Sequence, residues 1–242
     1  MTATTITRQP AARQAGTARR FDLYAGVHKG LRSFMAEALV AAGRMDPHDP
    51  AEIIGTLAQV RELLDACRAH LHVENQFLHP AMEARRPGSA CETAKEHEEH
   101  VAAIERLETD ALAVERAQAE ARGDAARRLY HGLAAFVAEN LVHMQDEETG
   151  NNAVLWATFT DEELAEIHQA IVASIPPGKM ALFLRWMVPA MTPAERAGLL
   201  GGIQLGAPRE VFERVLATAR PHLSEREWAK LMAALAPLPI SQ

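Results

Sequence analysis

At 242 residues and 26.5 kDa the chain fits one large domain or two small ones, and with 48% apolar and 24% charged residues it can bury a core, which excludes wholesale disorder. Its 32 acidic residues outnumber 25 basic ones, for a net charge of −7, the reverse of the excess expected of a nucleic-acid binder. Cys67 and Cys91 form no CxxC pair, and no apolar run approaches the ~20 residues of a membrane span, so neither a cysteine zinc site nor a membrane partner is expected. Histidine is abundant: there are 11, most of them before residue 144.

Residues 1–20 carry Arg8, Arg13, Arg19 and Arg20 and no acidic residue, without the apolar core of ~7–15 residues that a secretory signal requires. They read as a disordered tail on a cytoplasmic protein, a location that fits the unpaired cysteines. From Phe21 onward the pattern is helical. A first helix over about 22–42 places Tyr24, His28, Leu31, Met35 and Leu39 on one face. Asp49-Pro50-Ala51-Glu52 opens a second, predicted to run to about Arg85 with Leu57, Val60, Leu64, Cys67, His70, Glu74 and Phe77 inward. Ser89-Ala90-Cys91-Glu92 reads as a capping box for a third, with His97, His100, Ile104, Leu107, Ala111 and Val114 inward. A fourth is predicted from near Asp124, carrying Leu129, Leu133, Phe136, Asn140, His143 and Glu147, after an alanine-rich stretch read as helix end and loop. Four such helices with short connections imply an all-α, up-down four-helix bundle over residues 21–158. Capping boxes at Thr160, Thr192 and Ser224, with prolines between them, predict about five shorter helices in a C-terminal helical domain, residues 159–242.

Each long helix places at least one histidine on its apolar face. Two add a glutamate one turn later, His70-x-x-x-Glu74 and His143-x-x-x-Glu147. Positions four apart differ by only about 40° around a helix, so each pair points to the bundle axis. Imidazole and carboxylate within an apolar stripe are costly to bury unless something satisfies them. A pair of metal ions does so, with nitrogen from neutral histidines and oxygen from carboxylates that can bridge. Such mixed ligation suits iron, with manganese and zinc as alternatives. A ferritin-like site needs Glu-x-x-His, and no glutamate here lies three residues before a histidine. His97-Glu-Glu-His100 is not HExxH, so a zinc-protease site is excluded. His48, His72, His79, His131, His168 and His222 are expected to be packing, capping or surface residues, and Cys67 a small core residue.

The segment His70-Leu-His-Val-Glu74-Asn-Gln-Phe-Leu-His-Pro80 resembles the signature of the hemerythrin-like (HHE cation-binding) family. Glu96-His97-Glu-Glu-His100 is similar to that family's third helix, His143-Met-Gln-Asp-Glu147 to its fourth, and His28 to its first-helix ligand. The resemblance implies a non-haem di-iron centre in which His28, His70, His97 and His143 are terminal ligands and Glu74 and Glu147 bridge. His97 and His100 lie about 60° apart around the helix, so both are candidates. With only one of them the set is four histidines and two glutamates, which resembles the iron-sulfur-repair and nitric-oxide-responsive branch, although the cysteine-bearing N-terminal segment of that branch is absent from residues 1–20. Thr149-Gly150-Asn151-Asn152 stands where the family has an apolar-proline end, so the fourth helix is expected to stop a turn early.

The function these features imply is binding or sensing of a diatomic gas, O₂ or NO, with Leu31, Met35, Ile104, Leu107 and Phe136 forming a dry pocket. Two alternatives are an enzyme that handles peroxide or NO, and an iron-handling or partner-binding helical protein with a structural metal. For the C-terminal block the competing readings are a cap packed on the bundle and a protein-docking module with Trp186 and Met187 as its contacts.

Overall fold

The computed structural model describes residues 20–236, and among them there is no strand. Residues 1–19 of the expected tail lie outside the described residues. Arg20, assigned to that tail, is instead anchored: its guanidinium donates to Asp161 Oδ1 (2.6 Å) and to the carbonyls of Trp156 and Phe159 (both 2.8 Å).

Four long helices, α1 (Ala25–Arg44), α2 (Pro50–Val73), α4 (Cys91–Arg116) and α5 (Ala119–Asp146), form the bundle, with the short α3 (His79–Arg85) extending α2. Their packing closes a ring, α1 on α2, α2 on α4, α4 on α5 and α5 on α1, the neighbour order of an up-down bundle. The inward faces predicted from periodicity are buried, including Leu57, Val60 and Leu64 on α2, Ile104 and Leu107 on α4, and Leu129 and Leu133 on α5.

Local chemistry departs from prediction at three helix starts. Asp49 caps α2 through the N–H groups of Ala51 and Glu52, but the Glu52 carboxylate turns to the Asp46 N–H rather than closing a box. No capping box forms at Ser89. The carboxylate of Glu83 accepts from the N–H groups of Gly88 and Ala90 (2.6 and 2.7 Å), holding a turn whose Gly88 has φ +84°, a left-handed geometry that costs glycine nothing. Helix α5 starts at Ala119, because alanine, the strongest helix former, carries the helix through the predicted loop.

The largest departure lies at the ends of α2 and α5. Neither helix stops. Each passes through a π turn, Glu74–Leu78 and Glu147–Asn151, and resumes as α3 and as α6 (Asn152–Thr158). The His79 N–H bonds the Glu74 carbonyl and the Asn152 N–H bonds the Glu147 carbonyl, five residues back in both cases. Each turn absorbs one extra residue, rotating everything beyond it by about 100°. Phe77, predicted inward, is therefore only half-buried, and Leu78 and His79 are buried in its place. The predicted early stop after Glu147 does not occur. Thr149 Oγ1 bonds the Gln145 carbonyl (2.8 Å) and Asn152 Nδ2 bonds the Glu148 carbonyl (3.1 Å), so side chains satisfy the widened turn.

Beyond Thr158 come α7 (Asp161–Ser174), α8 (Pro177–Ala190), α9 (Pro193–Gly206), α10 (Arg209–Ala219) and α11 (Glu225–Leu235), close to the five predicted segments. The capping boxes at Thr160, Thr192 and Ser224 all form. Helix α8 lies along α1, and its approach requires Gly30: a Cβ there would sit 2.8 Å from Met187 Cγ and 3.0 Å from Met187 N. Trp186 stacks on Phe34 with ring centroids 4.0 Å apart and planes 10° apart, and joins the bundle core with Phe183. Trp186 and Met187, the suggested docking contacts, are thus spent on intramolecular packing. Arg196, buried, ties the end of α8 to α9 through the carbonyls of Val188, Pro189 and Met191.

Candidate metal centre

His28 from α1, His70 from α2, His97 from α4 and His143 from α5 meet at one end of the bundle with Glu74 and Glu147, and all six are buried. Two groups of ligand atoms converge, each within 4.8 Å: His28, His70, Glu74 and Glu147 in one, and Glu74, His97, His143 and Glu147 in the other. Both glutamates belong to both groups, and each is the first residue of a π turn.

The Nε2 atoms of His28 and His70 are 3.1 Å apart, and those of His97 and His143 are 3.0 Å apart. Glu74 divides its oxygens between the groups, with Oε1 3.3 Å from His70 Nε2 and Oε2 3.6 Å from His97 Nε2. Glu147 lies 3.4 Å from His28 Nε2 and His143 Nε2 and 3.5 Å from His97 Nε2. Two donors bound about 2.1 Å from one cation, at about 90–110°, are about 3.0–3.4 Å apart, which is the spacing found here.

The other ring nitrogens fix the tautomers. His28 Nδ1 faces Glu148 Oε1 at 3.1 Å, His97 Nδ1 faces Asn75 Oδ1 at 2.8 Å, and His143 Nδ1 faces Glu96 Oε2 at 2.7 Å. An Nδ1–H donated outward leaves the Nε2 lone pair aimed inward, the arrangement that orients imidazole toward a metal. Arg32 in turn holds Glu148 at 2.5 Å. Burial works against the Glu148 carboxylate, yet the hydrogen bonds from His28 and Arg32 outweigh it and keep this carboxyl below its ordinary range.

The decisive feature is what the carboxylates lack. All four oxygens of Glu74 and Glu147 are buried without a hydrogen-bond partner. Burial and the neighbouring charge of Glu147 push the Glu74 carboxyl up to about 8. Burial opposes the charge on His28, but the facing carboxylates of Glu147, Glu148 and Glu74 push it up to about 10. Burial, reinforced by the charge of His28, holds His70 well below its ordinary value. A cation facing both carboxylates relieves these conflicts together.

His100 is buried but joins neither group. Its ring lies edge-on to His143 (4.7 Å between centroids) and to Phe136 (6.1 Å), and its Nδ1 has no partner. About one-sixth of a turn short of overlaying His97, it reaches the side of the cluster rather than its centre. His79 stacks on the His97 ring at 4.7 Å, a packing role made possible by the π turn. Sequence reasoning missed Asn75, Glu96 and Glu148. Their one signal is adjacency, since each neighbours a cluster residue in sequence while serving a histidine on another helix.

The proposed dry pocket of Leu31, Met35, Ile104, Leu107 and Phe136 is found as buried core. The open space beside the cluster lies elsewhere, between α1, α2 and the C-terminal helices, and none of these five residues lines it.

The helical bundle, with its convergent His/Glu cluster and unpartnered carboxylates, defines a metal-binding protein. A family model, hemerythrin HHE cation binding domain, matches residues 20–152, more than half of the chain. The chain belongs to that family. No curated protein matches it.

Proposed function

We propose that the chain is a non-haem two-metal protein that binds or senses a diatomic gas, O₂ or NO. In this reading one ion is held by His28 and His70, the other by His97 and His143, with Glu74 and Glu147 bridging. The observation that carries it is the pair of ligand groups sharing two buried, unpartnered glutamates. Iron is the ion this donor set suits best, with manganese and zinc as alternatives. A redox-active metal held by these imidazoles and carboxylates would supply the electron density a diatomic gas needs.

The chain's own contribution is positional. Asn75, Glu96 and Glu148 hold three rings with Nε2 inward, Glu74 and Glu147 fix the distance between the two halves, and His79 and His100 pack beside them. Burial keeps His79 and His100 neutral, near 4 in both cases, so neither adds positive charge beside the ions. We assign the centre to residues 21–158 and a helical cap to 159–242, in a cytoplasmic protein. No helix among the described residues is long and apolar enough to cross a membrane.

Reduced, iron-loaded protein is expected to show a reversible gas-dependent absorption band. Steady consumption of peroxide or NO with a reductant would instead make it an enzyme. His70→Ala and Glu147→Ala are expected to lose metal on elemental analysis, and near-full occupancy in both would overturn the assignment.

A further inference from the structure

A cavity of about 340 Å³ lies between the bundle and helices α7, α8 and α9. Its inner end is formed by His70 and Glu74 of the candidate metal centre, and its outer end includes Val172, which is 43% exposed. Between them the walls are apolar, among them Val27, Phe183, Met187 and Met191. Four polar side chains reach the walls. Asp22 accepts from the N–H groups of Tyr24 and Ala25 and from Asn152, and His168, which is solvent-exposed, sets its ring edge against Phe21. The buried polar groups on the walls that lack a partner are the two Glu74 oxygens, beside His70.

The size of the space decides what it is for. At ~30 Å³ per water, it is on the order of ten times what one small molecule such as a diatomic gas requires. It falls within the ~300–1,000 Å³ of sites for organic ligands, and it shares their character: apolar walls with convergent polar groups at one end. Methionines on the wall supply flexible, polarizable surface that adapts to different chains.

We propose that α7–α9 close an organic-ligand site over the metal centre, one that takes an aliphatic molecule of roughly ten heavy atoms whose oxygen-bearing end reaches His70 and Glu74. Binding of the chain part rests on the cavity alone, whereas the direction of the oxygen end rests on the two-metal reading. The C-terminal helices then decide what reaches the centre, and the cap becomes a specificity element.

The test uses 1-nonanol as probe. Full-length, metal-loaded protein is titrated by calorimetry, with metal content measured in parallel. Saturable one-site binding is expected, with Kd on the order of 10–100 μM for a ligand of this size. Val172→Trp, at the exposed end, and Gly26→Leu, whose new Cβ meets only the side-chain ends of Met191 and Met187, both narrow the cavity. Each is expected to weaken binding about tenfold, the loss of roughly two buried methylenes, with metal content unchanged. Val172→Trp alters a surface position and decides the matter if Gly26→Leu does not fold. In cobalt-loaded protein the hydroxymethyl protons of bound nonanol should broaden more than the terminal methyl.

Absence of saturable binding at normal metal content overturns this inference and leaves the metal reading standing. Equal affinity in wild type and a folded variant also overturns it. Variant-sensitive binding without metal uptake supports the cavity and overturns the metal reading instead. Stronger broadening at the methyl end refutes the stated orientation.

Discussion

Replacing Glu74 by glutamine should move stability in opposite directions with and without metal. In the metal-free protein, burial and the charge of Glu147 raise the Glu74 carboxyl from 4.5 to about 8. The folded chain thus keeps a proton that the unfolded chain releases, and stability falls as pH rises from about 4.5 to about 8. At pH 7 this costs about 3 kcal/mol. Glutamine has nearly the shape of the protonated acid and cannot ionise. Metal-free Glu74→Gln should therefore be more stable than metal-free wild type at pH 7 by up to about 3 kcal/mol, or ~6–12 °C in Tm, an advantage that vanishes near pH 4.5. With metal at a thousandfold excess over Kd the wild type gains about 4 kcal/mol, ~8–16 °C, and the variant, missing a bridge, gains little. Thermal unfolding followed by circular dichroism, on chelator-treated and metal-loaded samples at both pH values, reads all four states. A variant that takes up as much metal as wild type, or is less stable than wild type without metal at pH 7, refutes this account of Glu74.

His97→Ala should lower metal affinity by at least about tenfold while His100→Ala leaves elemental occupancy near that of wild type; equal losses would place His100 among the ligands. Gly30→Ala forces a methyl against Met187 and should lower Tm, the overpacking cost exceeding the ~1 kcal/mol gained from helix propensity. Gly55→Ala, in the interior of α2 with nothing within 4 Å of a new Cβ, should raise Tm by ~2–4 °C. Opposite signs in calorimetric melting check both. Of the two free thiols, exposed Cys91 should react with a chromogenic disulfide at neutral pH in the native protein. Cys67, whose thiol burial pushes up to about 12, should react only after denaturation, and a native count of two would contradict its placement in the core.

The cluster lies within the span that the family model matches, residues 20–152, and gives that match physical content. Four buried oxygens without a hydrogen-bond partner are costly in a folded chain, and a cation compensates them together. The surrounding acceptors show how the bundle keeps its donors in place. Each comes from a helix other than the one whose ring it orients, so alignment of the rings depends on the helices being packed together.

Periodicity alone determined the helices, most of their inward faces and the axial direction of His28, His70, Glu74, His97, His100, His143 and Glu147, because a helix repeats its direction every 3.6 residues and burial selects one face. The three C-terminal capping boxes were equally local, each depending on two side chains three residues apart. Only the tertiary structure decided where that period breaks. The π turns at Glu74 and Glu147 rotate Leu78 and His79 inward in place of Phe77, and carry the fourth helix past its expected stop. The separation of His97 from His100, the burial of Trp186 against Phe34 and the cavity leading to His70 likewise depend on contacts between segments far apart in the chain. A local sequence pattern fixes the direction of a side chain on its own helix, but not what another helix brings within reach of it.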